Sequence, residues 1–111
     1  MSDHYYHADD MKKLRKLREL KPDLFTSFVE FDSKVFEEGA LSVKTKELIA
    51  IGTAHITQCP YCIDVHVQRA KKAGASDVEI AESIFVAMAL RAGGSWAHSC
   101  IAMESLEKAS A

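Results

Sequence analysis

Cys59, Cys62 and His66 stand within one short run, Cys-Pro-Tyr-Cys-Ile-Asp-Val-His. Two thiols three apart can close a disulfide and reopen it, and an imidazole one turn further on can move the protons which that exchange requires. At about 100° per helical residue, Cys59 and Cys62 differ by about 60° and Cys62 and His66 by about 40°, so all three share a face. Pro60 suits the first helical position, where its missing N–H would have had no partner. Both thiols then lie in the first turn, near the positive end of the helix dipole. Thiolates are favoured there, and such motifs often have pKa values lowered to roughly 3.5–7.5.

The preceding segment contributes Glu47, on a stripe with Ile51 and His55. A carboxylate among Leu48, Ile49 and Ile51 has two readings. One is a first-turn glutamate that supports a helix N-terminus. The other is a partly buried base that takes a proton relayed from a cysteine. His55 similarly reads either as a packed, hydrogen-bonded histidine or as an auxiliary group. The same residues invite a zinc reading, with Cys59, Cys62 and His66 joined by Glu47, His55 or His98. A second Cys-x-x-Cys or His-x3-His pair would normally complete such a site, and the chain has none. The expectation is therefore no metal and no cofactor.

The elements that must hold these residues are all helical. Met11, Leu14 and Leu17 form the inner side of a first helix over about 9–20. Pro22 opens a second, with Leu24, Phe25, Phe28, Val29, Val35 and Phe36 at spacings of three and four and Gly39 as its stop. Ser42 can cap a third over 43–57. The Cys-Pro step starts a fourth, ended near Ala73 by Gly74. Ser76-Asp77-Val78-Glu79 is a capping box for a fifth. Gly93-Gly94 interrupts the pattern, and a sixth helix is expected over about 95–108. No stretch alternates with period two, so no sheet is predicted. Cys100, within Cys100, Ile101 and Met103, reads as a small buried hydrophobe.

The 111 residues suffice for one domain over 1–111, with 48% hydrophobic and 27% charged residues. A chain of this size buries only about two thirds of its unfolded surface, so association with further copies would add useful burial. Net charge is −2, and basic residues gather only at Lys12, Lys13, Arg15, Lys16 and Arg18, as on a solvated helix face. Neither nucleic acid nor a membrane is expected as a partner. The first ten residues lack the basic and apolar regions of a signal peptide. A cytoplasmic location follows as the expectation, and there a Cys-x-x-Cys is redox-active or metal-binding rather than a static staple.

Together, Glu47-x11-Cys59-Pro60-Tyr61-Cys62-x3-His66 resembles the core motif of the AhpD-like, or carboxymuconolactone decarboxylase, family. The likeness extends through Glu47-Leu-Ile-Ala-Ile and Lys71-Lys-Ala-Gly-Ala, over about 41–102. It implies an all-α bundle of about six helices completed by assembly into homotrimers or homohexamers. It also implies a dithiol oxidoreductase that reduces alkyl hydroperoxides and is re-reduced by a dithiol protein or small thiol. Carried onto these positions, Cys62 attacks the peroxide, Cys59 resolves the sulfenic acid as a disulfide, and Glu47 and His66 deprotonate Cys62 through a water. Cys59, nearer the helix tip, is then the natural start for exchange with the reductant. Tyr61 stands where peroxidase members carry a histidine; with a pKa near 10 it is a weaker proton carrier, though it can still donate a hydrogen bond. Other functions open to the sequence are a redox-sensing or assembly protein, a zinc module, and a lactone decarboxylase.

Overall fold

The computed structural model describes residues 8–110, apart from the side chains of Ala8, Asp9 and Met11. Tyr5, Tyr6 and the inward position given to Met11 lie outside the described residues. A 3-10 stretch over Ala8–Leu14 leads into α1 (Arg15–Leu20). It is followed by α2 (Pro22–Val35), α3 (Val43–Thr57), α4 (Pro60–Lys72) and α5 (Asp77–Ser110). The all-α expectation holds: the described residues contain no strand.

Local signals set most boundaries. Ser42 caps α3 by accepting the Thr45 N–H at 3.1 Å, and Gln58 ends it in the left-handed region at φ 60°. That residue reverses the chain, and Cys59 directly becomes the N-cap of α4 with Pro60 behind it. Gly74, at φ 94°, closes α4, a conformation that costs glycine little. The capping box forms in both directions: Ser76 Oγ accepts from Glu79 N at 3.1 Å, and Glu79 Oε1 accepts from Ser76 N at 2.8 Å.

Two expectations change. The first helix is not one element, because its first half is wound as a 3-10 stretch. The pause at Gly93-Gly94 does not occur, and α5 runs unbroken for 34 residues. Glycine in a helix interior costs about 1 kcal/mol relative to alanine, a weak veto among the helix formers Ala87, Met88, Ala89, Leu90 and Ala92. Among the described residues the α-helices accordingly number five rather than six.

α3 and α4 form a tight antiparallel hairpin, and α5 lays its first half along α3. Gly52 permits that approach, since a Cβ there would meet the Ser83 carbonyl oxygen at 3.1 Å. Lys44–Glu79 at 2.9 Å and Lys71–Asp77 at 2.8 Å tie the start of α5 to α3 and α4. Arg91 Nη2 donates to the Ile56 carbonyl at 2.7 Å, further along the α3–α5 seam. The core lies inside this three-helix unit, where Ile51, Ala54, Ala70, Ala75 and Ala87 are buried.

Candidate active site

Glu47 is the buried charged residue of this unit, 2% exposed. It points from the second turn of α3 toward α4, where its Oε1 lies 2.6 Å from His66 Nδ1. An ionised carboxylate only accepts hydrogen bonds, so in that state Nδ1 carries the proton and Nε2 is left as the basic nitrogen. The His66 ring is fixed on a second side by Phe36, which follows α2 and stacks on it with centroids 5.0 Å apart at 22°. A histidine pinned through one nitrogen and one face offers its other nitrogen in a set direction.

Cys59 and Cys62 are both half-buried free thiols at the start of α4. The Cys59 sulfur accepts the Cys62 N–H at 3.2 Å, so it serves as the helix cap. The expected lowering of the thiol pKa is not found at Cys62, which is pushed up to about 11. A hydrogen bond to the Cys59 side chain is the largest cause, followed by burial and by negative charge on Cys59; Asp32 adds a smaller push upward. The helix start does act in the opposite sense through a backbone hydrogen bond, but a sulfur neighbour outweighs it. Cys62 therefore holds its proton at neutral pH.

A pocket of about 480 Å³ opens beside this thiol. Cys62 and His66 form one part of its lining, and Val35, Phe36, Leu41, Ile49, Ala50 and Ala54 supply an apolar wall. Asp32 and Lys46 add one charge of each sign. Cys59 is outside the lining, which separates the two thiols: one faces the pocket and the other faces the helix tip. An apolar cavity of this size with a few convergent polar groups has the form of a small-molecule site.

The structure therefore brings Glu47 and His66 into contact and sets Cys62 and His66 around one pocket. Tyr61 is half-buried between the cysteines and does not line that pocket. His55 is held by its own helix, with Nδ1 2.7 Å from the Ile51 carbonyl, in accord with the packed reading. His98 makes a similar bond to the Gly94 carbonyl at 3.0 Å. Cys100 is exposed rather than buried, because among the described residues no helix packs against the distal half of α5. Among the described residues, no three His, Cys, Asp or Glu side chains gather closely enough to hold a metal ion. No described helix is long and apolar enough to cross a membrane. Asp32 and Phe36 were not foreseen as site residues; both come from α2 or its end, and no spacing rule links them to the motif.

Fold and site define an all-helical protein with a dithiol at a helix tip and a buried carboxylate–imidazole pair beside it. The chain belongs to the carboxymuconolactone decarboxylase family, whose model matches residues 22–105. It is 44% identical over 82 residues, 74% of each chain, to uncharacterized protein 4 in the cox locus of Paracoccus denitrificans. A carboxymuconolactone decarboxylase family protein from Legionella pneumophila, crystallised in its apo form, is similar at TM-score 0.70 and 36% identity; the match covers 90% of this chain and 89% of that one. A Thermotoga maritima crystal structure is similar at TM-score 0.62 and 33% identity, over 85% and 88%.

Proposed function

We propose that this protein is a dithiol–disulfide oxidoreductase that reduces organic hydroperoxides. The observation that carries the reading is the buried Glu47–His66 pair, whose ring lines the same pocket as Cys62. A thiol that keeps its proton needs a base at hand, and an oriented imidazole backed by a carboxylate is such a base. Cys62 gives its proton to His66, its sulfur attacks the terminal peroxide oxygen, and the O–O bond breaks. The leaving alkoxide takes a proton and departs as alcohol, with Cys62 left as a sulfenic acid. Cys59 then displaces water from that sulfur, and the disulfide forms. A dithiol protein or small thiol supplies the two electrons and two protons that restore the pair, entering at Cys59.

Assembly into homotrimers or homohexamers belongs to the same proposal. Large apolar side chains stand exposed along α2 and α5, among them Leu24, Phe28, Phe31, Phe85, Trp96 and Ile101. A chain of this length packs to a radius of gyration of roughly 13 Å when compact, and here it is 18.9 Å. Such surface calls for copies to cover it.

The test is to treat reduced protein with cumene hydroperoxide and count thiols by mass. Wild type is expected to lose two hydrogens as a Cys59–Cys62 bridge, and Cys59→Ser to stop at the sulfenic acid. No bridge in wild type, or Glu47→Gln and His66→Ala reacting as fast as wild type, would overturn the mechanism. Turnover of a lactone acid by the Cys59→Ser/Cys62→Ser double variant would instead indicate the decarboxylase reaction.

A further inference from the structure

Asp32 sits in the wall of the Cys62 pocket with its role unassigned. It is half-buried on α2, and among the described residues no cation lies within ion-pair distance of its carboxylate. Lys46, the cation in the same lining, donates instead to the Glu37 carbonyl at 2.5 Å. A carboxylate left without a counter-ion in an apolar wall projects its charge across the cavity, where low polarisability and partial exclusion of water lengthen its reach.

We infer that Asp32 is a specificity-determining residue: it makes the Cys62 pocket select neutral organic substrates over anionic ones. Two consequences share this one cause. An anionic reagent or substrate meets repulsion on entering, and the thiolate that must form in the same space meets it too. The negative charge acts upward on Cys62, in keeping with the geometry. The other charged or titratable groups around the thiol are Lys46 and Glu47 on α3 and Cys59 and His66 on α4. Glu47 is engaged by His66; Lys46 keeps its positive charge but is held by the Glu37 carbonyl on the α2–α3 connection, so Asp32 is the lining carboxylate with no ion-pair partner among the described residues. The inference rests on Cys62 being the reactive thiol, but its test reads alkylation and does not depend on hydroperoxide reduction.

The experiment compares alkylation of reduced protein by iodoacetamide, which is neutral, and iodoacetate, which is anionic. Peptide fragmentation reads Cys62 and Cys100 separately. Cys100, read in protein unfolded in urea so that neither packing nor assembly shields it, is the standard. Wild type is expected to prefer the neutral reagent more strongly at Cys62 than at Cys100. D32N should cut that excess about three- to tenfold, as for one charge across a half-solvated cavity, and move the Cys62 pH profile to lower pH. D32E should keep the wild-type preference. An unchanged Cys62 ratio in D32N, an equal change at Cys100, or a D32E that behaves like D32N would overturn the inference. If D32N does not fold, wild type decides alone. Raising salt from low to high should compress the Cys62 preference toward that of Cys100, and a preference indifferent to salt would overturn the inference.

Discussion

The α3–α4 hairpin and the remainder of the molecule are built to different standards. In the hairpin, a carboxylate is buried and paired, a ring is stacked, and Ile51 and Ala70 are fully enclosed. Across α1, α2 and the far half of α5, leucines, phenylalanines and a tryptophan 79% exposed face outward. Pairing Glu47 with His66 needs two adjacent helices joined by a short turn, with Phe36 from the end of α2 against the ring. Covering the apolar faces of long helices needs more partners than one chain of this size holds. The difference teaches that the carboxylate–imidazole pair is assembled within one chain, while much of the apolar surface of the long helices is left uncovered among the described residues.

The sharpest way to break that comparison is at the hairpin. Glu47→Gln should keep the fold and slow hydroperoxide-driven disulfide formation on the order of 10²-fold or more, as removal of a positioned proton acceptor commonly does; stopped-flow thiol loss measures it. A rate close to wild type would mean that the buried pair is packing alone. The next largest effect concerns association. Trp96→Glu should lower the mass seen by light scattering toward that of a single chain, and wild type already at that mass would show the outer surface to be free-standing. Within the core, Ile51→Ala should cost about 2–5 kcal/mol in urea unfolding, since a fully enclosed side chain leaves a cavity.

A smaller effect separates the two thiols. Cys62 stands at about 11 chiefly because of Cys59, so Cys59→Ser should move the alkylation midpoint of Cys62 to lower pH. The sign for stability follows from the same shift. The folded value lies above the ordinary 9.0, so the folded state holds the proton longer. The stability gained is complete below pH 9 and is lost as pH rises through about 11. Denaturant midpoints of the reduced protein over that window check it. The smallest expected change is in α5: Gly93→Ala and Gly94→Ala should each stabilise by about 0.5–1 kcal/mol, as an added Cβ meets nothing within 4 Å. Destabilisation instead would reveal a close neighbour from another copy.

What was legible in the sequence was mostly local. Ser42, Pro60, Gly74 and the Ser76–Glu79 box mark helix ends through bonds that span three or four residues, and such signals survive folding unchanged. The all-α class and the shared face of Cys62 and His66 were legible for the same reason. The family motif assigned Glu47 and His66 to one proton relay through a water, but their direct contact crosses from one helix to another and was not legible. Asp32 and Phe36 reach the site from α2 by tertiary packing, which no spacing announces. At Cys62 the helix-tip rule gave the wrong sign, because it weighed the dipole and not the sulfur beside it. Gly93-Gly94 misled for a different reason: a modest local cost was read as a stop, and the surrounding helix formers prevailed.

The Cys59 sulfur has a consequence for how the redox state could be observed. In the reduced chain it is the acceptor for the Cys62 backbone N–H. A sulfur with a negative charge or a free thiol is a better acceptor than one already bonded to a second sulfur. Closing the bridge would weaken the first hydrogen bond of α4, and opening it would restore that bond. Under the proposed dithiol chemistry the Cys62 amide would be a built-in reporter, its proton chemical shift and solvent-exchange rate moving with each electron pair gained or lost. A single resonance could follow turnover with no dye, label or coupled enzyme.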